Sequence, residues 1–296
     1  MKLLTVFTPT YNRAFCLGKL YETLIDQTNQ DFIWLIVDDG STDNTKHLVD
    51  QWIKDGHLSI KYIYQENQGM HGAHNTAYAA IDTELNVCID SDDFMPEDAV
   101  ENIVTSWREY GGEKVSGIIG LDSYTDGEVI GTELPSHLKQ STLFNLYNKH
   151  GVKGDKKLVY RTELTKEFPY PVFKNEKYVG LAYKYFRLDE KYEMLLLNKV
   201  LCRVEYLEDG SSRNMLKQYR RNPKGFAFYR KELMTLRFAG VFFKFRQAVH
   251  YVSSSLMMKN KRLLAESPQK GITILALPFG CLLYLYVTSR TRDVLN

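Results

Sequence analysis

Leu85-Asn86-Val87-Cys88-Ile89-Asp90-Ser91-Asp92-Asp93 is an apolar run closed by an acidic quartet. The run predicts a buried strand with several carboxylates at its exposed end, the place where α/β sheets keep ligands. Hard carboxylate oxygens in this arrangement suit Mg2+ or Mn2+ held together with substrate phosphates, because such an ion neutralises a diphosphate while staying partly hydrated. An acidic turn after a strand has the same local sequence, so two upstream segments decide between the readings.

Leu3 to Phe7 reads as a short buried strand, followed by Thr8, Pro9, Thr10, Tyr11, Asn12 and Arg13 and then an amphipathic stretch, Leu17 to Thr28, suited to a helix. A polar loop between strand and helix presents backbone N–H groups and side-chain donors to an anion or a base. Phe32 to Val37 is another strand, ending at Asp38, Asp39, Gly40, Ser41, Thr42 and Asp43. Gly40 allows a tight turn, and Ser41 or Thr42 is placed to cap the helix running toward Trp52. Chance accounts for one polar cluster at a strand end more easily than for three.

Ser59 to Gln65 continues the pattern as a strand, Glu66 to Gly69 as a turn, and Gly72 to Ile81 as a helix leading into Leu85. The alternation implies a mostly parallel, Rossmann-like nucleotide-binding sheet flanked by helices on both faces. Pro96 starts a helix toward Tyr110, and Ser116 to Leu121 is a further strand. Beyond Asp122 come polar loops, a short helix over Leu143 to His150, less periodic stretches at Lys156 to Arg161 and Thr162 to Phe168, a helix from Gly180 to Tyr192 and a long strand from Met194 to Tyr206. Residues 1–212 are therefore expected to form one α/β catalytic domain, with a nucleotide-binding half over 1–120 and a second half over 121–212. Residues 213–296 form a helical extension.

A chain of 296 residues with 44% hydrophobic content has the means to build a core, which excludes disorder. Cys16, Cys88, Cys202 and Cys281 lack C-x-x-C spacing and indicate neither a structural zinc site nor a disulfide scaffold; a reducing compartment fits. Met1 runs almost directly into a strand, without the apolar segment of a secretory signal, so export is not expected. The net charge of +2 is unevenly spread: residues 213 to 262 hold thirteen Lys/Arg and one acid, Glu232, leaving −10 elsewhere. Interleaved with Phe226, Phe228, Phe238, Phe242 and Phe245, those cations suit an anionic membrane surface. Nucleic acid would use the same charges, but the next segment, Ile272 to Val287, is apolar and favours the membrane. Its sixteen residues give about 24 Å of helix, short of a roughly 30 Å hydrocarbon core, and Pro278 and Gly280 interrupt it. A shallow, kinked or re-entrant helix is expected, with a buried docking helix as the alternative. The Phe242 to Phe245 face also offers a surface for a homo-oligomer.

Thr8-Pro9-Thr10-Tyr11-Asn12-Arg13, Val37-Asp38-Asp39-Gly40-Ser41-Thr42-Asp43, Asn67-Gln68-Gly69 with Asn75, and Asp90-Ser91-Asp92-Asp93 together resemble the family 2, GT-A-type glycosyltransferases of bacterial surface polysaccharide, capsule and teichoic acid synthesis. The resemblance covers about the first hundred residues and implies a GT-A fold, a nucleotide-sugar donor, inversion at the anomeric carbon and a divalent metal, Mn2+ or Mg2+. It places Thr8, Pro9, Tyr11 and Arg13 in the nucleotide pocket, with Asp38 or Asp39 accepting from the base N–H. Asp90, with Ser91 beside it, falls at the ribose directly or through the metal, and Asp92 becomes the main metal ligand. Asp93 orients the turn or the sugar. Asn67, Gly69 and Asn75 match the donor-facing loop and helix start, while His71 and His74 are polar wall residues. Glu176, in Phe173-Lys174-Asn175-Glu176-Lys177, is the base by resemblance, although many relatives carry an acid further on, where this chain has Gly180 and Leu181; Asp189 and Glu190 are the runners-up. Asp209 falls at the rim or the acceptor, and Ser211, Ser212 and Arg213 near the leaving diphosphate.

The implied reaction moves a hexose or N-acetylhexosamine from a UDP-sugar to a lipid-linked saccharide at the cytoplasmic face of the membrane, by a peripheral or monotopic protein that binds no nucleic acid. A nucleotidyltransferase is the rival enzyme, lacking here its Gly-rich basic triphosphate loop, and a membrane scaffold is the rival outside enzymes.

Overall fold

The computed structural model describes residues 2–205 and 214–292. Its chain divides into two compact units, one of Met1–Pro169 with Lys191–Leu207, the other of Tyr170–Glu190 with Glu208–Asn296. Within the second unit, Tyr170–Glu190 packs with the C-terminal helices.

The first unit holds strands β1 (Leu4–Thr10), β2 (Phe32–Asp38), β3 (Ile60–Tyr64), β4 (Leu85–Cys88), β5 (Val115–Ser123), β6 (Gln140–Ser141), β7 (Lys156–Arg161) and β8 (Glu193–Arg203) in one sheet of order β3-β2-β1-β4-β7-β5-β8-β6. Its helices are α1 (Ala14–Ile25), α2 (Thr45–Asp55), α3 (Met70–Ala80), α4 (Ala99–Tyr110), α5 (Leu143–Asn148) and α6 (Thr162–Thr165). Near-continuous burial of β1, β2 and β5 is what a sheet covered on both faces requires. Leu17, Leu20, Tyr21 and Leu24 make the inner stripe of α1, and Tyr21 stacks on Trp52 of α2 at 4.3 Å between centroids.

The sheet is mixed rather than mostly parallel. β1 pairs parallel with β2 and β4, β2 with β3, and β5 with β8, but β7 runs antiparallel to both β4 and β5 and β6 antiparallel to β8. The central strand β7 is the segment that reads as weakly periodic. Its charged residues find partners inside the protein: Lys156 Nζ donates to the carbonyls of Ile130, Lys153 and Asp155, and Arg161 donates to those of Glu113 and Val115. Gly117 of β5 sits so close to Val159 of β7 that a Cβ would collide with its carbonyl. The parallel register sets Thr10 opposite Asp38 and Phe7 opposite Cys88, so the carboxyl ends of β1, β2 and β4 share one edge.

The second unit consists of α7 (Ala182–Leu188), α8 (Met215–Arg221), α9 (Pro223–Thr235), α10 (Val241–Met257), α11 (Leu263–Glu266) and α12 (Lys270–Arg290). α10 packs between α9 and α12 around Ala227, Met234, Ala248, Tyr251 and Ala276. Gly280 brings α12 against Val252, where a Cβ would overlap it. Despite Pro278, α12 continues for 21 residues, about 31 Å, longer than the stretch expected from the apolar run. An 18-residue window of it has a mean hydropathy of 1.8, and it is, among the described residues, one helix long and apolar enough to cross a membrane. Ile274, Leu275, Phe279, Leu282, Leu285 and Tyr286 are exposed on it.

Lys184 of α7 is 1% exposed, its ammonium 4.7 Å from the Tyr170 ring centroid. Burial pushes its pKa down to about 7. In the unfolded chain the amine keeps its proton to about pH 10.4, so between about pH 7 and 10 the unfolded state binds more protons. The Lys184 contribution to stability therefore rises with pH there, by up to about 1.4 kcal/mol per unit, and is lowest below pH 7. Lys184→Met removes this slope, and urea titrations at pH 6 and 9 are expected to show it stabilising the protein more at pH 6.

Candidate functional site

The loops after β1, β2 and β3 are tied together by side chains. Asn12 adopts a left-handed backbone (φ 54°); its N–H donates to Ser41 Oγ at 2.8 Å, and its Oδ1 accepts from the N–H groups of Thr42 at 2.7 Å and Asp43 at 3.3 Å. The carboxylate of Asp43 accepts from Ala14 N at the start of α1 and from Thr45 N and Oγ1 at the start of α2. The N-cap of α2 is Asn44, which makes no side-chain cap bond; neither Ser41 nor Thr42 caps the helix, and Asp43 accepts its first N–H instead. Burial raises the Asp43 pKa, but the bonds from the Thr45 hydroxyl and then from the N–H groups outweigh that and leave it lowered.

Asp38 and Asp39 are buried at the end of β2. Asp38 accepts from Ser41 N at 2.7 Å and from the Tyr62 hydroxyl at 2.6 Å. Asp39 accepts from Gln65 Nε2 at 2.7 Å and from the N–H groups of Gln68 and Gly69, both at 2.8 Å. The Asn67-Gln68-Gly69 loop is therefore hung from Asp39. Gly40 has φ 88°, and a Cβ on it would press on Asn67 N at 3.0 Å, so glycine suits both the turn and the close approach. Gly69 (φ 84°) starts α3, which carries Asn75, half-buried.

Of the other expected pocket residues, Tyr11 is exposed, Pro9 is half-buried, and the Arg13 guanidinium lies 5.6 Å from the Phe15 ring. Thr8 is buried, its hydroxyl accepting from Trp34 Nε1 at 3.0 Å. His71 and His74 are buried on α3. His74 bonds the Tyr78 hydroxyl at 3.2 Å and sits 3.6 Å from Cys88 Sγ, edge-on to Phe7.

The acidic quartet turns at the end of β4, with Asp93 N donating to Asp90 O at 3.0 Å. Asp90 and Asp92 are half-buried, Ser91 is buried, and Asp93 is turned inward to accept from Glu205 N at 3.3 Å and from the Cys202 thiol at 3.7 Å. Burial raises the Asp93 pKa to about 7; Lys157 opposes the rise, while Asp90 and Asp92 add to it. Sequence reading missed Lys157. Its ammonium lies 3.8 Å from Asp122 Oδ1, with both side chains nearly buried. Burial alone would lower its pKa, but Asp122, then Cys202, Asp93 and Asp90 hold it well above the usual lysine value. No periodicity marked Lys157, because it lies on β7, brought to the quartet only by antiparallel pairing. Lys157→Met leaves this acidic group without its cation and is expected to cost about 3 kcal/mol in chemical denaturation; a loss below about 1 kcal/mol would contradict the assignment.

Glu176 lies in the second unit, where its carboxylate accepts from Lys224 N at 3.0 Å and Gly225 N at 2.8 Å at the start of α9. Asp209, with Ser211, Ser212 and Arg213, lies outside the described residues. Among the described residues no three His, Cys, Asp or Glu side chains converge to enclose a metal ion. Asp90 and Asp92 still fit a partly hydrated Mg2+ or Mn2+ completed by substrate phosphates, which asks the protein for only one or two carboxylates.

The family model "Glycosyl transferase family 2" matches residues 5–168. Glycosyltransferase GlyA of Streptococcus pneumoniae is 27% identical over 221 residues, 71% of this chain and 31% of GlyA. This chain spans about a third of the length of the curated relatives it matches first. Among solved structures, S. aureus TarS 1-349 in complex with UDP-GlcNAc superposes with a TM-score of 0.67 at 16% identity, over 98% of this chain and 92% of that one. Mannosyltransferase PcManGT from Pyrobaculum calidifontis, in complex with GDP-Man and Mn2+, gives 0.56 at 17% identity over 96% and 87%. The match over more than half of the chain, across the strand ends that carry the polar clusters, places this protein in glycosyl transferase family 2.

Proposed function

We propose that the protein is an inverting glycosyltransferase that moves a hexose or N-acetylhexosamine from a nucleoside diphosphate donor, most simply a UDP-sugar, to a lipid-linked saccharide in cell-surface polysaccharide synthesis. The observation that carries the reading is the shared edge of β1, β2 and β4, where three interlaced loops meet the half-buried Asp90 and Asp92. UDP-GlcNAc in TarS and GDP-Man with Mn2+ in PcManGT support a nucleotide-sugar donor and a divalent ion.

In this reading the β1 loop, through Tyr11 and Arg13, receives the nucleotide. Asp38 and Asp39 hold the base-side wall in shape, and the Asp38 carboxylate, with about four acceptor positions, accepts a base N–H beside the bonds from Ser41 and Tyr62. Asn67, Gly69 and Asn75 line the donor side. Asp90 and Ser91 meet the ribose, and Asp92, with Asp90, would hold a Mg2+ or Mn2+ that neutralises charge on the departing diphosphate. Glu176 takes the acceptor's hydroxyl proton on an oxygen lone pair that the α9 N–H groups leave over; its pKa is raised by burial, against the bonds from Gly225 and Lys224, which favours a base. Asp209 assists the acceptor. α12 and the cations of the C-terminal helices hold the protein at the cytoplasmic face of the membrane, peripheral or monotopic.

Product analysis separates this reaction from nucleotidyl transfer. Nucleoside diphosphate is expected to appear in step with glycosylated lipid; release of pyrophosphate instead would overturn the proposal.

A further inference from the structure

Among the described residues of the second unit, Arg230 and Arg246 are two of several arginines with no carboxylate within 4 Å. Arg230 of α9 is fixed by neutral partners: one Nη donates to Gln247 Oε1 at 2.7 Å, the other to the Tyr219 hydroxyl at 2.7 Å, and the guanidinium lies 4.9 Å from the Tyr229 ring centroid. Its Nε is buried with no hydrogen-bond acceptor. Arg246 is exposed on α10, one turn before His250, whose ring stacks on Tyr219 at 5.6 Å. Among the described residues neither arginine has a carboxylate within 4 Å, whereas Arg187 in the same unit has two, Glu190 and Glu232. The two charges act on one place. His250 is pushed down to about 4 by burial, then by Arg230 and Arg246, and so stays uncharged between them.

A partly buried guanidinium left with an unused donor and no counter-charge is costly unless an anion completes it, and the planar fork of arginine matches phosphate oxygens. The apolar surface beside it narrows the ligand. Phe245, next to Arg246 on α10, meets Phe279 of α12 edge-on at 5.6 Å, and Phe279 belongs to the exposed apolar stripe with Leu275, Leu282 and Tyr286. Cation and apolar stripe thus sit side by side.

We propose that Arg230 and Arg246, floored by Tyr219 and flanked by the outer face of α12, bind the phosphate or diphosphate head group of a lipid. Two lipids carry that chemistry, a bilayer phospholipid and a polyprenyl diphosphate of the kind an acceptor is built on; the second source rests on the function proposed above.

The full chain, sedimented with phosphatidylcholine vesicles containing either phosphatidylglycerol or a polyprenyl diphosphate, tests the site. Arg246→Gln is expected to weaken binding about fivefold, the effect of one cation at an anionic surface. Arg230→Lys keeps the charge, loses the fork and is expected to weaken diphosphate vesicles more than phosphatidylglycerol vesicles, with circular dichroism checking the fold. Loss confined to the polyprenyl diphosphate vesicles identifies the acceptor-type lipid; loss confined to phosphatidylglycerol identifies the bilayer. Unchanged binding of both variants to both vesicles overturns the site. Sedimentation needs no sugar transfer, so a protein that binds as expected but releases no nucleoside diphosphate contradicts the function and leaves the site standing.

Discussion

Asp92→Ala is expected to lower sugar transfer by at least about 100-fold, the scale on which removal of a group that stabilises developing charge is felt. The carboxylate stands half-buried at the turn after β4, at the edge shared with the loops of β1 and β2. It also repels Asp93, whose raised pKa it helps to produce. Removing it therefore relieves a like-charge contact, and the thermal midpoint is expected to stay level or rise slightly. Nucleoside diphosphate release and a thermal melt on the same preparation check both halves. Retention of more than about a tenth of the activity would show that the turn is no more than an acidic strand end.

Asp39→Ala is expected to have the largest effect on stability. Its carboxylate receives Gln65 Nε2 and the backbone N–H groups of Gln68 and Gly69, and the bond to Gly69 is buried. A buried donor left without an acceptor costs about 1–3 kcal/mol, so the substitution is expected to cost about 3 kcal/mol or more. The loop it releases carries Asn67 and leads into α3, so donor affinity falls with stability. Urea denaturation, with donor affinity measured well below the midpoint, reads both. A stability loss under about 0.5 kcal/mol would mean that the loop is held by other contacts.

The features legible in the sequence are those where a buried strand ends in polar residues. β1, β2, β3 and β4 announce themselves by short apolar runs, and their parallel pairing brings the clusters at Thr10, Asp38 and Asp90 to one edge, as the alternation of strands and helices implied. Partners that come from outside that local pattern were not legible. β7 begins Lys-Lys and ends in Arg, and it lies in the centre of the sheet only because carbonyls and Asp122 accept those charges, which no periodicity reveals. Lys157 follows from the same pairing. Asp43, next to the N-cap Asn44, accepts the first N–H of α2, while Ser41 Oγ accepts from Asn12 N–H three residues before the cap. Glu176 reads as a lone acid in a loop, yet folding sets it at the start of α9, forty-eight residues further along the chain.

Calorimetric titration of nucleoside diphosphates into the full chain, with and without Mn2+, tests the donor site most directly. The account predicts that at least one of them binds in a metal-dependent way and that Asp92→Ala removes the dependence. Heat that is the same with and without metal, or binding by none of the nucleotides, would contradict it.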